Sequence, residues 1–472
     1  MRRALIRTAV VGAVASVAVG ALAAVAGSTN DPYFPEQWNL TRINAPAAWA
    51  KSTGAGIKIG VIDTGVDLTH EDLAAKVSDS VSCIGARDLS AACAGSAQDD
   101  QGHGTHVAGI AAAITGNAKG VAGVAPDAKL VVVKALDSTG SGALNDVNAG
   151  IKWAVDHGAR VINLSLESDG HDVTTAPGQT LTEGVDYAFS HNAIVVVAAG
   201  NATPSLFGSS GYANVNAVIV GASGRQDEVA WYSSTLAGAK WGLVAPGGDA
   251  RGPDGTPSCA GALAADCIVS TGWFAGKQNQ YADDEGTSMA TPQVAGVIAM
   301  VMAQTPGMSA AAAVQRVIST TAKVSCGDGC KGRLDAAAAV GAPVAATPPG
   351  SAGPAGATGS SPVTVTPQPP ATAPVAAAGP AVIPVPPGLA STTVPPAATP
   401  AEPGATLALG VAPQVPAAEP IHGLRPVSAP GHHVSGFAIA VAFGALALVV
   451  AEAFALARSG GGASLSLLRR RL

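Results

Sequence analysis

Five short apolar runs rich in β-branched residues are bounded by turn formers: Ile57 to Ile62, Leu130 to Leu136, Val161 to Leu166, Ile194 to Ala199 and Val218 to Val220. Between them, Thr105 to Ile114, Leu144 to His157 and Leu181 to His191 carry apolar residues at helical spacing. Continuous apolar strands alternating with helices are buried on both faces, so the expected fold is α/β, a three-layer, doubly wound, mostly parallel sheet. Residues 31 to 56, polar with Pro and Trp, read as a lead-in that packs on this domain without joining its sheet. A helix from Ser309 to Thr321 closes it near Val340.

One further apolar segment, Val294 to Met302, follows the small polar run Gly286-Thr287-Ser288-Met289-Ala290-Thr291-Pro292. The spacing predicts a buried helix with Ser288 in its first turn, and Pro292 is expected to be tolerated there because the first amides of a helix have no carbonyl partner.

The pattern breaks at both ends. The N-terminus reads MRRALIRT, then an apolar run from Ala9 to Ala26 closing on Ala24-Val25-Ala26, the form of an export signal over residues 1–26, with a retained anchor as the alternative. The domain is then expected over 27–340. From 341 to 433 the chain is Pro, Ala, Gly, Thr and Val without periodicity and holds roughly two-thirds of the 33 prolines. Such a segment has no aromatic mass to bury and is expected to be a disordered, partly polyproline linker, roughly 50 to 60 Å across as a coil. Residues 434–457 are almost wholly apolar, about the length a bilayer needs, and the tail at 458–472 carries Arg458, Arg469, Arg470 and Arg471. This predicts a single transmembrane helix, with the C-terminus cytoplasmic and the domain outside the cell membrane.

Composition adds two constraints. A net charge of -6 gives no reason to expect nucleic acid as a partner. Six cysteines lie as sequence neighbours, Cys83 with Cys93, Cys259 with Cys267 and Cys326 with Cys330, which in an exported chain favours three disulfides closing small loops.

Four stretches carry candidate chemistry. The first strand ends in Asp63-Thr64-Gly65, which puts a carboxylate where open α/β sheets place their ligands, although an aspartate at a strand end is more often a turn former. Gly102-His103-Gly104-Thr105-His106 opens a helix with a histidine between two glycines; His103 is the candidate base and His106 a packed helix residue. Another strand ends in Ala198-Ala199-Gly200-Asn201, whose amide could donate to an oxyanion, and Ser288 is the candidate nucleophile.

In this order, with VIDTGVD, HGTHVAGIAAA, INLSL, VVVAAGN and GTSMATPQVAG around them, these residues make the chain resemble the subtilisin-like serine proteases from about Asp31 to Val340. The resemblance implies an Asp63–His103–Ser288 triad, an oxyanion hole at Asn201, and a substrate cleft lined by Ser165, Leu166 and Glu167 and by Ala198, Ala199 and Gly200. Glu167, with Asp169 and Asp172 nearby, is either a selector of basic substrate residues or a solvated loop charge. The resemblance to thermitase-like subtilases implies a structural Ca²⁺ held by Asp31, Asp72 and Asn117 with the carbonyls of Ile114, Lys119 and Val121; alternatively these are surface acids and a turn residue. The run from Asn30-Asp31-Pro32 resembles a mature start, so no long propeptide is expected. The order of signal, domain, Pro-rich linker, span and basic tail resembles the mycosins. That likeness leaves a second reading open, a subtilase-fold scaffold steadying a membrane secretion complex, beside a protease cutting proteins or peptides.

Overall fold

A computed structural model of the protein describes residues 29–166, 173–174, 181–201, 211–212, 215–252, 258–343 and 425–426. The chain divides into two units, 1–344 with 419–472 and 345–418, and every described residue belongs to the first. The expected export signal, transmembrane helix and basic tail lie outside the described residues, as does most of the expected linker. Among the described residues no helix is long and apolar enough to cross a membrane.

The main strands are β1 (Lys58–Asp63), β2 (Val77–Ser82), β3 (Lys129–Lys134), β4 (Ala159–Leu164), β5 (Ile194–Ala198), β6 (Ala217–Ser223), β7 (Trp241–Pro246), β8 (Ile268–Gly272), β9 (Gln280–Asp284), β10 (Cys330–Arg333) and β11 (Arg425–Pro426). Eight form one sheet in the order β10-β7-β6-β5-β4-β1-β3-β2, every pair parallel. A second sheet runs β8-β9-β11 with antiparallel pairs. The helices are α1 (Trp38–Arg42), α2 (Ala45–Trp49), α3 (His103–Ala112), α4 (Leu144–Asp156), α5 (Thr182–Ser190), α6 (Thr287–Gln304), α7 (Ala310–Ser319) and α8 (Ala336–Val340).

The sheet separates two cores, and its strands feed them alternately. In β3, Leu130 and Val132 join the core under α3, α6, α7 and α8, whereas Val131 and Val133 join the one under α4 and α5. A run that is apolar at every position is therefore one strand with two buried faces. The lead-in forms α1 and α2 on the first face and contributes no strand.

The five anticipated strands are present within three residues of their expected ends, and five more of the main strands between residues 27 and 340, β2 and β7 to β10, were not anticipated. Of these, β2 (VSDSVS) is an edge strand with half-exposed polar positions, and β10 (CKGR) is the opposite edge; neither needs the continuous apolar run that marks a central strand. The three cysteine pairs are disulfides as expected: Cys83–Cys93, Cys259–Cys267 and Cys326–Cys330.

Candidate active site

From β1 the sheet grows one way through β3 and β2 and the other way through β4 to β7. The reversal beside β1 opens a crevice at the carboxyl ends of the strands. Asp63 ends β1, Ser165 follows β4, and Ala199-Gly200-Asn201 follows β5. Three of the expected stretches thus converge on one edge of the sheet.

The Asp63 side chain is fully buried, and its Oδ1 accepts from His103 Nδ1 and from the Thr64 amide, each at 2.8 Å. With Nδ1 donating, a neutral His103 ring presents Nε2 as a proton acceptor. His103 is held at the start of α3, and the approach is close: a Cβ on Gly104 would lie 2.1 Å from the Gly65 carbonyl and 3.0 Å from Asp63 Cβ. Glycine is required there.

Three residues that the motifs did not single out fix this corner. The buried Asp99 carboxylate accepts from the amides of Gln101, Gly102 and Thr105 at 3.0 Å and from the hydroxyls of Thr64 and Thr105, so it serves the turn leading into α3 and the third amide of that helix. Thr64 Oγ1 accepts from the Gly104 amide at 2.9 Å. Lys134, in register with Asp63 on β3, donates to the carbonyls of Thr64 (2.7 Å) and Leu136 (2.8 Å). Its signal in the sequence is a lone charge inside an apolar run. His106 is buried, with Nε2 donating to the carbonyls of Ile268 (3.1 Å) and Ala282 (3.0 Å), and burial lowers its pKa to about 3. It is a packed helix residue.

Ser288 is the second residue of α6. Asn201 Oδ1 accepts from Thr287 N (3.0 Å) and Thr287 Oγ1 (3.1 Å), which turns the Asn201 amide donors the other way. A Cβ on Gly286 would sit 3.5 Å from Asn201 Nδ2 and 3.6 Å from Ser288 N, so these two donors flank one point; Gly286 itself has φ 154°, in the region that favours glycine.

The expected reason for tolerating Pro292 needs correction. It is the sixth residue of α6, past the unpartnered first turn, so it deprives the Ser288 carbonyl of its i+4 amide. Ser165 supplies the missing donor: its Oγ donates to the Ser288 carbonyl at 2.7 Å, while Ser288 Oγ donates to the Ser165 carbonyl at 3.2 Å. The nucleophile candidate is therefore tied at both its backbone and its side chain to the end of β4.

Leu166, Ala198 and Ala199 are buried, and the carbonyls of Ala199 and Gly200 accept from Tyr212 Oη (3.0 Å) and Ser234 N (2.9 Å). Glu167, Asp169 and Asp172 lie outside the described residues.

The six residues implied for calcium gather around the loop 114–121. Both Asp31 and Asp72 are buried. Asp31 accepts from the amides of Gly116 and Asn117, and Asp72 accepts from Asn117 Nδ2 (2.7 Å), Val121 N (3.1 Å) and Tyr281 Oη (3.0 Å). Burial pushes the Asp72 carboxyl up. No lysine or arginine among the described residues pairs with either carboxylate, since Lys119 pairs with Glu71 at 2.8 Å. Two buried carboxylates without a cation, set against this one loop, are oxygen donors suited to a hard divalent ion. Among the described residues a second close group, Cys259, Cys267 and Glu285, offers no thiolate, because its cysteines are disulfide-bonded.

Comparison with known proteins agrees with this geometry. Thermitase of Thermoactinomyces vulgaris is 38% identical over 315 residues, covering 66% of this chain and 98% of its own. A thermophilic serine proteinase of Bacillus sp. strain AK1 is 40% identical over 282 residues, 59% of this chain and 61% of its own. Among solved structures, a protease from Pseudoalteromonas arctica superposes with a TM-score of 0.55 at 30% identity, over 66% of this chain and 98% of that one. The sequence profile described as the subtilase family matches residues 54–351, and with the relatives above it shows that the chain belongs to the subtilases and is a serine endopeptidase.

Proposed function

We propose that the protein is an extracytoplasmic serine endopeptidase anchored in the cell membrane, cutting protein or peptide substrates through Asp63, His103 and Ser288. The hydrogen bond of 2.8 Å between buried Asp63 and His103, at the crevice edge that also holds Ser288, carries the reading. Ser288 Oγ attacks the scissile carbonyl as its proton passes to His103 Nε2. Asp63 keeps the ring in that tautomer and stabilises the imidazolium. Asn201 Nδ2 and the Ser288 amide receive the oxyanion, a contribution of about 3 kcal/mol for one such donor. His103 then protonates the leaving amine, and water resolves the acyl-enzyme by the same proton path. Ser165, Leu166, Ala198, Ala199 and Gly200, with Glu167 beyond them, form the walls along which substrate lies.

Ca²⁺ is the metal this reading adds, held by Asp31, Asp72 and Asn117 with the carbonyls of Ile114, Lys119 and Val121. Bound there, it neutralises buried negative charge. Export is supported by the three disulfides, and anchoring by the apolar residues 434–457 followed by arginines. The relatives are proteases and give the scaffold reading no support.

The test is labelling of the full chain by a fluorophosphonate, wild type beside Ser288→Ala. Labelling of the wild type alone is expected. A folded wild type that stays unlabelled with calcium supplied would sink the proposed triad. Removal of the protein from membranes by alkaline carbonate would separately reject the anchor.

A further inference from the structure

Carboxylates crowd the corner where β1, β3 and α3 meet. Asp63 ends β1, Asp67 lies just beyond it, Asp99 and Asp100 precede α3, and Asp137 follows β3 within the field of Lys134. Asp67 is tied to α3 by its amide, which donates to Thr105 Oγ1 at 2.9 Å. His106, the next histidine along α3, is neutral, since burial lowers it to about 3. Among the described residues Lys134 is the one lysine or arginine that bonds to any of these acids.

The Lys134 side chain is 8% exposed, and each of its three ammonium protons has an acceptor: the carbonyls of Thr64 and Leu136, and Asp100 Oδ1 at 2.5 Å. Its partner Asp100 is 46% exposed, so water screens the anion far more than the buried ammonium. Seen from inside the protein, the pair is a net cation. It sits against the residue that bears the carboxylate, because the next two amides of the same strand end, Ala135 and Leu136, donate to the Asp63 carbonyl at 2.9 and 3.1 Å. Asp63 Oδ2 is buried without a hydrogen-bond partner among the described residues, which leaves that carboxylate sensitive to a nearby positive charge.

Carboxylates beside a histidine make it easier to protonate, and a protonated ring cannot accept the serine proton. We propose that Lys134 sets the basicity of His103: its buried charge opposes the acids around the ring and keeps the imidazole free to accept, while its hold on the Thr64 carbonyl keeps Asp63 in place. Lys134 acts through Asp63 and is a positioning residue, and this inference rests on the triad proposed above. Asp99 and Asp63 stabilise the imidazolium once it forms; Lys134 keeps it from forming before substrate arrives.

The test uses the full chain in detergent and follows the rate of fluorophosphonate labelling of Ser288 against pH, whose acid limb reports protonation of His103 in the free enzyme. Lys134→Met keeps most of the side chain and removes its charge. It should move that limb upward by about half a pH unit and slow labelling on the plateau about tenfold as Thr64 loosens. Asp100→Asn removes the screened anion and should move the limb downward by about a quarter of a unit. A role in packing alone would slow labelling and leave the limb where it is. Limbs that stay in place, or that shift in the same direction, overturn the inference. Asp100→Asn alters an exposed side chain and covers the case in which Lys134→Met does not fold: an upward shift or none in that variant overturns the inference on its own. The same variants are read again by NMR titration of the His103 Cε1 proton on a Ser288→Ala background, with His103→Gln for assignment. That measurement needs no reactive serine, so it still decides the matter if the wild type fails to label, which is the result that counts against the triad.

Discussion

Helices α3 and α6 enter the core in the same way and are capped by opposite means. Each follows a glycine with positive φ, Gly102 at 118° and Gly286 at 154°, carries a residue of the proposed triad in its first turn and then runs buried. At the start of α3 the Gly102 and Thr105 amides meet a carboxylate, Asp99, with Asp63 close by. At the start of α6 the Thr287 amide meets a neutral amide oxygen, Asn201 Oδ1. A helix N-terminus carries roughly half a positive charge. At α3, where the proposed mechanism makes His103 a cation, negative charge is built in beside that field. At α6, where the proposed mechanism forms an oxyanion, the field is left unneutralised. On that mechanism the caps differ as the charges that develop differ.

The starts of α3 and α6 should also respond oppositely to pH, and this is the largest effect expected. In α3, burial lowers His106 from 6.5 to about 3. The unfolded chain then binds more protons between those values, so stability is lost as pH falls below 6.5, by on the order of 5 kcal/mol in all. Just before α6, Glu285 accepts from the amides of Ala250 (2.6 Å) and Ser258 (2.9 Å), and burial raises it from 4.5 to about 7. Here the folded chain binds the extra proton, so stability falls as pH rises from 4.5 to 7, by about 3 kcal/mol. Urea midpoints against pH, on the Ser288→Ala background to prevent autolysis, should show the acid limb flattened by His106→Gln and the neutral limb by Glu285→Gln. If either variant keeps its limb, the group at that helix start does not control the response.

A second, smaller effect isolates the charge of the α6 cap. Asn201→Ala removes both the cap and the donor and should lower kcat about 10³-fold. Asn201→Asp keeps an oxygen for Thr287 but replaces the donor by an anion, so kcat should fall at least as far, about 4 kcal/mol or more, while the melting temperature stays near wild type. An aspartate variant more active than the alanine variant would show that neutrality at this cap is unimportant.

The sequence made parts of this arrangement legible and hid others for physical reasons. Central strands announce themselves because both faces are buried, as in Lys129–Lys134; the edges β2 and β10 do not, because one side faces solvent. Asp63, His103, Asn201 and Ser288 stand out because glycines and strand ends frame them. Asp99, Thr64 and Lys134 act through partners up to 70 residues away, and no local spacing encodes such contacts. The same holds for Ser165. Its place in INLSL suggested a substrate wall; the bond from its hydroxyl to the Ser288 carbonyl is a further role that no local spacing encodes.

That last contact gives the smallest prediction and the most specific test of how α6 is seated. Pro292 removes the amide that would serve the Ser288 carbonyl, and Ser165 Oγ takes its place at 2.7 Å. Ser165→Ala should therefore leave a buried carbonyl unserved and cost about 1 kcal/mol in stability, with a matching fall in kcat as the first turn of α6 loosens. Pro292→Ala restores the helical amide and makes the hydroxyl redundant. On that background Ser165→Ala should cost close to nothing, so the double-mutant cycle returns a coupling of about 1 kcal/mol. Additive effects would mean that the serine and the proline act independently. In that case the seating of Ser288 would depend on Asn201 and Thr287 alone, and α6 would differ from α3 only in the charge of its cap.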